Sequence, residues 1–192
     1  VSFPGGVLLS PEAGEPLAVA EEDFAAEVRA REAEEPRWVW SDTSVWYPPL
    51  LAAGVRVQRC VDLRLSHAIL RNSVLTRDTA LATAPRGSWD RAPRAPKPPD
   101  GALFDWGDLA DAEPAPPADP VAEWELQCDA VAASTEPARI QRLLAAESAG
   151  ALVAAEMRFA GMPWRADVHY EILREQLGER PAGDARPAKL QE

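Results

Sequence analysis

The fold is decided by two neighbouring stretches, RWVWSDTSVWYPPLLAAGV at 37–55 and CVDLRLSHAIL at 60–70. In each stretch a run of strand-forming residues precedes an aspartate, Asp42 in the first and Asp62 in the second. A helical pattern follows each aspartate, with Asp42 or Thr43 as the N-cap expected for the first helix and Asp62 for the second. The repeated order of strand, aspartate and helix is typical of an α/β layer.

Spacing within these stretches predicts the element boundaries. A short helix is expected over 44–53, although Pro48 and Pro49 restrict its regular part to one side of the pair. Gly54 then fits a helix C-terminus. The alternation of apolar and polar residues over 55–60 predicts a strand with one polar face.

The residues on either side extend the same pattern. The helix after Asp62 is expected to place Leu63, His67 and Leu70 on one face. Upstream, two short apolar runs separated by Pro and Gly predict a hairpin, and the stretch 24–33 predicts an amphipathic helix. Residues 1–84 are therefore predicted to form a small α/β domain.

The rest of the chain divides into two regions. Nine of the 36 residues in 85–120 are proline, which predicts a linker without regular structure. Residues 121–192 are Ala-rich and predicted to be helical, with Gly161 ending the longest helix and Asp167 capping the next. One apolar stripe is expected on the longest helix, formed by Ile140, Leu144, Ala151, Leu152, Ala155 and Phe159.

Charge is unevenly distributed along the 192 residues. The net charge is −11, which argues against a protein that coats nucleic acid by bulk charge. The segment 51–100, however, carries nine basic and four acidic residues, a net of +5. If the chain contacts a polyanion, arginines of this basic segment are the candidates.

Cysteine and histidine usage excludes two classes of site. The two cysteines, Cys60 and Cys128, and the two histidines, His67 and His169, are each isolated in sequence. No disulfide framework or zinc knuckle can be built from them, so buried thiols and surface imidazoles are expected. With no signal-peptide pattern and no apolar run of roughly 20 residues, a cytoplasmic protein without a membrane segment is expected.

Taken together with AESAGALVAAEMRFAGMPW at 146–164, the two quoted stretches resemble parts of family A (bacterial DNA polymerase I) enzymes. The first two are similar to the middle of the 3′–5′ exonuclease domain. The third is similar to the helix that opens the polymerase portion, where a Glu precedes a Gly by fourteen residues, here Glu147 and Gly161. Their order looks most like actinobacterial bifunctional 3′–5′ exonuclease/DNA polymerases.

This resemblance implies a degenerate ribonuclease-H-like exonuclease domain over 1–84, the linker, and the first helices of a polymerase thumb region over 121–192. It implies DNA as the partner and a nucleoid-associated location. Mg²⁺ is expected in a full-length polymerase, whereas no cofactor is expected for this segment. Palm carboxylates of a polymerase are absent from these residues, so polymerase activity would belong to a longer protein.

The exonuclease motifs themselves depart from the family. The family holds two metal ions with an Asp-x-Glu on its first strand, an Asp in the middle helix and an Asp after a Tyr in a later helix. Here no predicted strand carries Asp-x-Glu, Trp46 stands at the middle-helix position, and 121–129 contain no Tyr. An inactive exonuclease site is therefore expected, with no catalytic residue and no metal ligand.

Two functional interpretations of the surface follow. The basic segment is expected to contact DNA phosphates through Arg56, Arg59, Arg64 and Arg71. The apolar island ALF in the linker is similar to a sliding-clamp-binding peptide, with Leu103 and Phe104 as its apolar anchors, although it lacks the usual Gln.

The leading hypothesis is a non-catalytic N-terminal segment of a family A-like DNA polymerase. Two alternatives stay open. One is an active 3′–5′ exonuclease with relocated metal ligands, formed by Asp42, Asp62 and acids of 21–35. The other is a stand-alone scaffold that binds DNA or protein.

Overall fold

A computed structural model provides the structure of the chain. It describes residues 2–3, 6–11, 14–91, 119–161 and 165–179. Contacts group the chain into two compact units, Val1–Phe159 and Ala160–Glu192, which are described separately.

The N-terminal part of the first unit is an antiparallel sheet of three strands. These are β1 (Ser2–Phe3), β2 (Gly6–Leu9) and β3 (Leu17–Ala20), in that spatial order. Val7 pairs with Val19, and both side chains are buried in the main core. The predicted hairpin is therefore confirmed.

A helix follows this sheet after a 3₁₀ turn at Glu21–Asp23. Helix α1 (Phe24–Glu32) buries Phe24 and Val28 in the main core, and acidic and basic side chains cover its outer side. The amphipathic helix predicted over 24–33 is confirmed, because these two apolar residues lie four positions apart on one face.

The second sheet has two parallel strands, β4 (Trp38–Trp40) and β5 (Cys60–Asp62). The strand predicted over 55–60 is wrong, since β5 begins only at Cys60. The amide of Val55 instead donates to the Leu50 carbonyl at 2.8 Å, closing the end of the preceding helix. The alternation that suggested a strand serves to bury Val55 and Val57 from a loop.

Helix α2 (Thr43–Ala52) connects these strands and runs through both prolines, so the prediction that they confine the helix to one side is wrong. Each proline removes a backbone donor and costs about 3 kcal/mol or more inside a helix. Tyr47 and Leu50 are fully buried here, and such burial contributes about 1.5–3 kcal/mol per large side chain. Core packing therefore offsets the missing hydrogen bonds.

Helices α3 (Leu63–Asn72) and α4 (Ala80–Thr83) follow β5. The predicted face of α3 is confirmed, since Leu63, His67 and Leu70 are all buried. Gly54 has a φ of +71° just after α2, a conformation that favours glycine, so the predicted helix end there is also confirmed.

Helices α5 (Pro120–Ala132) and α6 (Pro137–Ala160) complete the first unit. Ile140 and Ala130 pack with Leu70 and Leu81 in a second apolar cluster, and Leu152 joins the main core. Five residues of the predicted stripe on α6 are buried or half-buried, whereas Phe159 is 56% exposed. Compact packing therefore includes α5 and α6 together with the α/β part, and the thumb assignment stays a prediction.

The second unit contains α7 (Ala166–Leu177). Asp167 was expected to cap this helix, but the N-cap position is Arg165 and Asp167 lies in the first turn. The Arg165 guanidinium donates to both Asp167 carboxylate oxygens. Gly161, with a φ of +73°, follows the last residue of α6 as predicted.

The architecture is mixed α/β and mostly helical, built around two small sheets. The predicted α/β class is confirmed at this level, while the ribonuclease-H-like assignment stays a prediction. Within the described ranges, every helix is too short or too polar to cross a membrane.

Candidate functional site

One carboxylate at the carboxyl end of β5 caps two helices. Asp62 accepts the Thr43 N–H of α2 at 2.7 Å through Oδ2 and the Leu65 N–H of α3 at 3.0 Å through Oδ1. Asp62 is only 2% exposed, so these helix amides take the place of water around the carboxylate. The capping role predicted for Asp62 is confirmed, and its link to α2 is an addition.

Asp42 caps α2 from the end of β4. Its Oδ1 accepts the Ser44 N–H at 2.8 Å and the Ser44 hydroxyl at 2.6 Å. Its Oδ2 lies 3.3 Å from the Arg64 Nε. All four oxygens of Asp42 and Asp62 therefore face donors.

These carboxylates do not fit a two-metal nuclease site. A divalent cation beside Asp42 and Asp62 would meet the positive ends of α2 and α3. Two acids of 21–35 are engaged elsewhere: Glu27 pairs with Arg31, and Glu32 accepts from the indole of Trp38. Over the ranges that the structure describes, no group of three or more His, Cys, Asp or Glu side chains could hold a metal ion.

Trp46, which the sequence resemblance predicted to stand at a metal-ligand position, is a packing residue. Its indole Nε1 donates to the Ser41 hydroxyl at 3.0 Å. Its ring meets Phe24 edge to face, with centroids 5.7 Å apart. The indole thus packs α2 against α1.

Uncharged polar side chains of neighbouring residues are hydrogen-bonded next to the two capping aspartates. Trp40 donates through Nε1 to the Thr43 hydroxyl at 2.9 Å, and Asp62 donates through its N–H to the Ser148 hydroxyl at 3.2 Å. The Cys60 thiol lies 3.5 Å from the Ser148 carbonyl. We call Asp42, Thr43, Cys60, Asp62 and Ser148 the cap cluster.

The Cys60 thiol is a poor nucleophile because its pKa is raised. Burial raises its pKa to about 11, and the hydrogen bond with Thr43 offsets this only in part. A thiol with so high a pKa stays protonated near neutral pH and is a poor nucleophile. The expected buried thiol is confirmed for Cys60, whereas Cys128 is exposed.

A second buried polar group joins α3, α5 and the 3₁₀ turn at Ser88–Asp90; we call His67, Arg71, Asp90, Glu123 and Gln127 the His67 cluster. His67 Nδ1 lies 2.8 Å from Glu123 Oε1, and His67 Nε2 lies 3.5 Å from Asp90 Oδ1. The Gln127 amide donates to the same Glu123 oxygen and to the Leu63 carbonyl. The surface imidazole expected at His67 is therefore wrong, because its helix face packs on α5.

Arginine balances the acids of this cluster. Arg71 Nε lies 3.0 Å from Asp90 Oδ1, while its terminal nitrogens donate to the carbonyls of Leu81 and Ala84. Burial alone would raise the pKa of Asp90, but the Gly87 N–H, Arg71 and His67 together lower it below its usual range. The ionised carboxylate is therefore favoured by the fold.

An aromatic ring covers one side of the His67 cluster. Trp89 stacks on His67 with ring centroids 6.5 Å apart. The guanidinium of Arg64 lies 5.7 Å from the Trp89 ring centroid and donates to the Arg91 carbonyl at 2.8 Å. Arg64 therefore connects Trp89 to Asp42 of the cap cluster.

The four arginines predicted to contact DNA fall into two pairs. Arg64 and Arg71 both contact the 88–91 segment: Arg64 donates to the Arg91 carbonyl, and Arg71 pairs with Asp90. Arg56 and Arg59 lie on the loop after α2; Arg56 is 72% exposed and pairs with Glu156 at 3.1 Å, and Arg59 donates to the Glu35 carbonyl. The structure thus separates two outward arginines from two that support the fold.

Glu156 also contacts the core. Its Oε1 accepts the Tyr47 hydroxyl at 2.7 Å, and its Oε2 faces Arg56. Burial, followed by the interaction with Glu156, raises the pKa of Tyr47 above its ordinary value. This phenol is therefore a neutral hydrogen-bond donor linking α2 to α6.

The predicted clamp-binding pair, Leu103 and Phe104, lies outside the described residues. Sequence reasoning missed the His67 cluster, whose members come from 67, 71, 90, 123 and 127. Only one signal pointed to it: His67 was predicted to share the apolar face of α3. Comparison of the chain with protein-family models, curated proteins and solved structures found no match.

Proposed function

We propose that this chain is the N-terminal, non-catalytic segment of a family A-like DNA polymerase, built on a degenerate ribonuclease-H-like exonuclease domain. The observation that carries the non-catalytic part of this proposal is the use of Asp42 and Asp62 as helix caps, with all their oxygens facing donors. The polymerase part rests on the sequence resemblance alone. Such carboxylates brace a fold and do not provide a metal-dependent reaction. Trp46 at the family's ligand position supports the same conclusion.

The proposed contact with DNA is electrostatic and uses Arg56 and Arg59. Both extend from the loop that follows α2, and both side chains are exposed. Arg64 and Arg71 are bracing residues, since their side chains are only 26% and 14% exposed and contact carboxylates and carbonyls of the fold. Because phosphate contacts carry no base information, binding would be independent of DNA sequence.

Fluorescence anisotropy with a labelled primer–template DNA, recorded over a range of salt concentrations, tests this proposal. Arg56→Ala and Arg59→Ala should each weaken binding on every DNA sequence and reduce the slope of log K against log salt by about 1. Arg77→Ala is the matched control, because Arg77 is also exposed and, among the described ion pairs, contacts its neighbour Asp78. An equal loss for the control, or a loss confined to one DNA sequence, would contradict the proposed contact.

A nuclease assay separates the proposal from the alternative of relocated ligands. Labelled single-stranded DNA incubated with the protein and Mn²⁺ should keep its length. Chelator-sensitive shortening that Asp62→Asn abolishes would overturn the non-catalytic function. If the DNA is neither bound nor shortened, the scaffold alternative replaces both the proposed polymerase segment and the nuclease with relocated ligands.

The remaining parts of the proposal concern the longer protein. Template-directed synthesis with Mg²⁺ in a nucleoid-associated enzyme would belong to residues beyond this chain. Leu103 and Phe104 are proposed to dock on a sliding clamp, and changing both to Ala should abolish clamp pull-down. An unchanged pull-down would remove the clamp from the list of partners.

A further inference from the structure

We propose that the outer edge of β3 and the neighbouring face of α1 form a docking groove for a basic peptide in extended conformation, which adds a strand to the sheet. This site lies apart from the arginines of the proposed DNA contact and does not depend on them. The occupant is a segment of a partner protein that alternates β-branched and basic residues.

The strand that would receive the peptide is at the edge of its sheet. Among the described strands, β3 pairs only with β2, and the order β1-β2-β3 leaves its other side without a strand neighbour. An edge strand presents backbone N–H and C=O groups that an extended peptide can pair with. The main-chain hydrogen bonds would supply affinity for an extended backbone.

Next to this edge the surface is concave. A groove of about 430 Å³ is lined by Leu17, Ala18, Val19 and Ala20 of β3 and by Asp23, Ala26 and Glu27. The first four are consecutive, so the groove follows the whole strand. Three of the seven lining residues are alanine, and their small side chains leave room for a peptide between the strand and the helix.

The charge of the groove selects the peptide. Asp23 and Glu27 form its helical wall, and the exposed Glu21 and Glu22 extend the acidic surface from the end of β3. One basic residue contacts this wall in the described ion pairs: Arg31, whose Nε lies 2.7 Å from Glu27 Oε1. A basic side chain is therefore complementary at this wall, whereas an acidic peptide would be repelled.

Two synthetic peptides provide the test, Thr-Lys-Val-Arg-Val-Lys-Thr and the same peptide with Glu at each basic position. The basic peptide should bind the full chain measurably by isothermal titration calorimetry, and the acidic peptide should not. Hydrogen–deuterium exchange should show new protection at residues 17–20 when the basic peptide binds. Absence of binding, or protection located elsewhere, would overturn the proposal.

Two pairs of variants locate the binding site. Ala26→Trp fills the groove and should weaken binding at least tenfold, whereas Ala146→Trp, at an exposed alanine of α6 outside the groove lining, should leave it unchanged. Asp23→Lys should weaken binding of the basic peptide and allow the acidic peptide to bind. Glu34→Lys makes the same charge change outside the groove and is the control.

The variants also reveal a different occupant. If Ala26→Trp lowers the protection of residues 17–20 in the protein without peptide, another segment of this chain already covers the strand, and the proposal is wrong. If concentration-dependent dimers appear and Ala26→Trp abolishes them, a second copy is the occupant, which also overturns it.

Discussion

The cap cluster and the His67 cluster are both buried and polar, yet their polar contacts are built differently, and in the His67 cluster His67 Nε2 and Gln127 Oε1 have no hydrogen-bond partner among the described residues. In the cap cluster, backbone amides at the start of α2 and α3 donate to Asp42 and Asp62, each of which directly precedes one of these helices, and Asp62 also accepts the Thr43 amide of α2. In the His67 cluster, side chains from α3, α5 and the 88–90 turn depend on one another. The first arrangement is local and tied to the backbone, whereas the second relies on a balance of charge between distant segments.

The largest expected effect comes from removing the shared cap. Asp62→Ala leaves the Thr43 and Leu65 amides without acceptors in a buried place, and each lost cap costs about 1–2 kcal/mol. We expect the free energy of unfolding to fall by about 3 kcal/mol in urea titrations followed by tryptophan fluorescence. Asp78→Ala, at a side chain that is 87% exposed, should stay within about 0.5 kcal/mol of the unchanged protein.

A loss at Asp62 no larger than at Asp78 would contradict the double cap. Asp62→Asn sharpens the result, because its one carbonyl oxygen can accept from only one of the two amides. The loss for Asn should therefore fall between those of the unchanged protein and Asp62→Ala.

A smaller effect is expected within the His67 cluster. Glu123→Ala leaves the His67 imidazole and the Gln127 amide without their acceptor, but it also removes a buried charge whose desolvation was unfavourable. We expect a loss of about 1–2 kcal/mol, measured by the same titrations. Glu125→Ala, on the exposed side of the same helix, is the control.

A double-mutant cycle tests whether the pair is coupled. His67→Ala combined with Glu123→Ala should cost less than the sum of the two single changes, because each single change removes the same contact. Strict additivity would show that His67 and Glu123 contribute separately, and the contrast with the cap cluster would then fail.

The smallest effect concerns acid. Because the folded pKa of Asp90 lies below its usual value, the folded state binds this proton less readily than the unfolded state. The stabilisation is fully present above the unfolded pKa of about 3.9 and is lost as pH falls through the folded pKa. Urea midpoints at several pH values should therefore fall less steeply for Asp90→Asn than for the unchanged protein. Parallel curves would contradict this contribution.

These differences explain what the sequence could predict. A helix cap is encoded within four residues, so the capping by Asp62 of the helix over 63–70 followed from an aspartate before an apolar pattern. The hairpin was readable for the same reason. The hydrogen bond from the Thr43 amide to Asp62 could not be predicted from the sequence. Thr43 lies 19 residues from Asp62 and reaches it through the parallel pairing of β4 with β5.

The errors have the same origin in long-range packing. The strand predicted over 55–60 had the right alternation, but its backbone bonds go to a helix end. The prolines of α2 argued locally against a helix that the burial of Tyr47 and Leu50 makes stable. His67 could be placed on a buried face, but its carboxylate partners at 90 and 123 carry no sequence signal.

The contacts of α6 also determine the order in which the chain can fold. Ser148 is 86 residues from Asp62, and Glu156 is 109 residues from Tyr47, the partners that they satisfy in the core. Closing such distant contacts costs entropy and slows folding. During synthesis, we therefore expect the core around the two parallel strands and α2 to lack these two contacts until residue 156 has left the ribosome, and such incomplete cores are prone to aggregation.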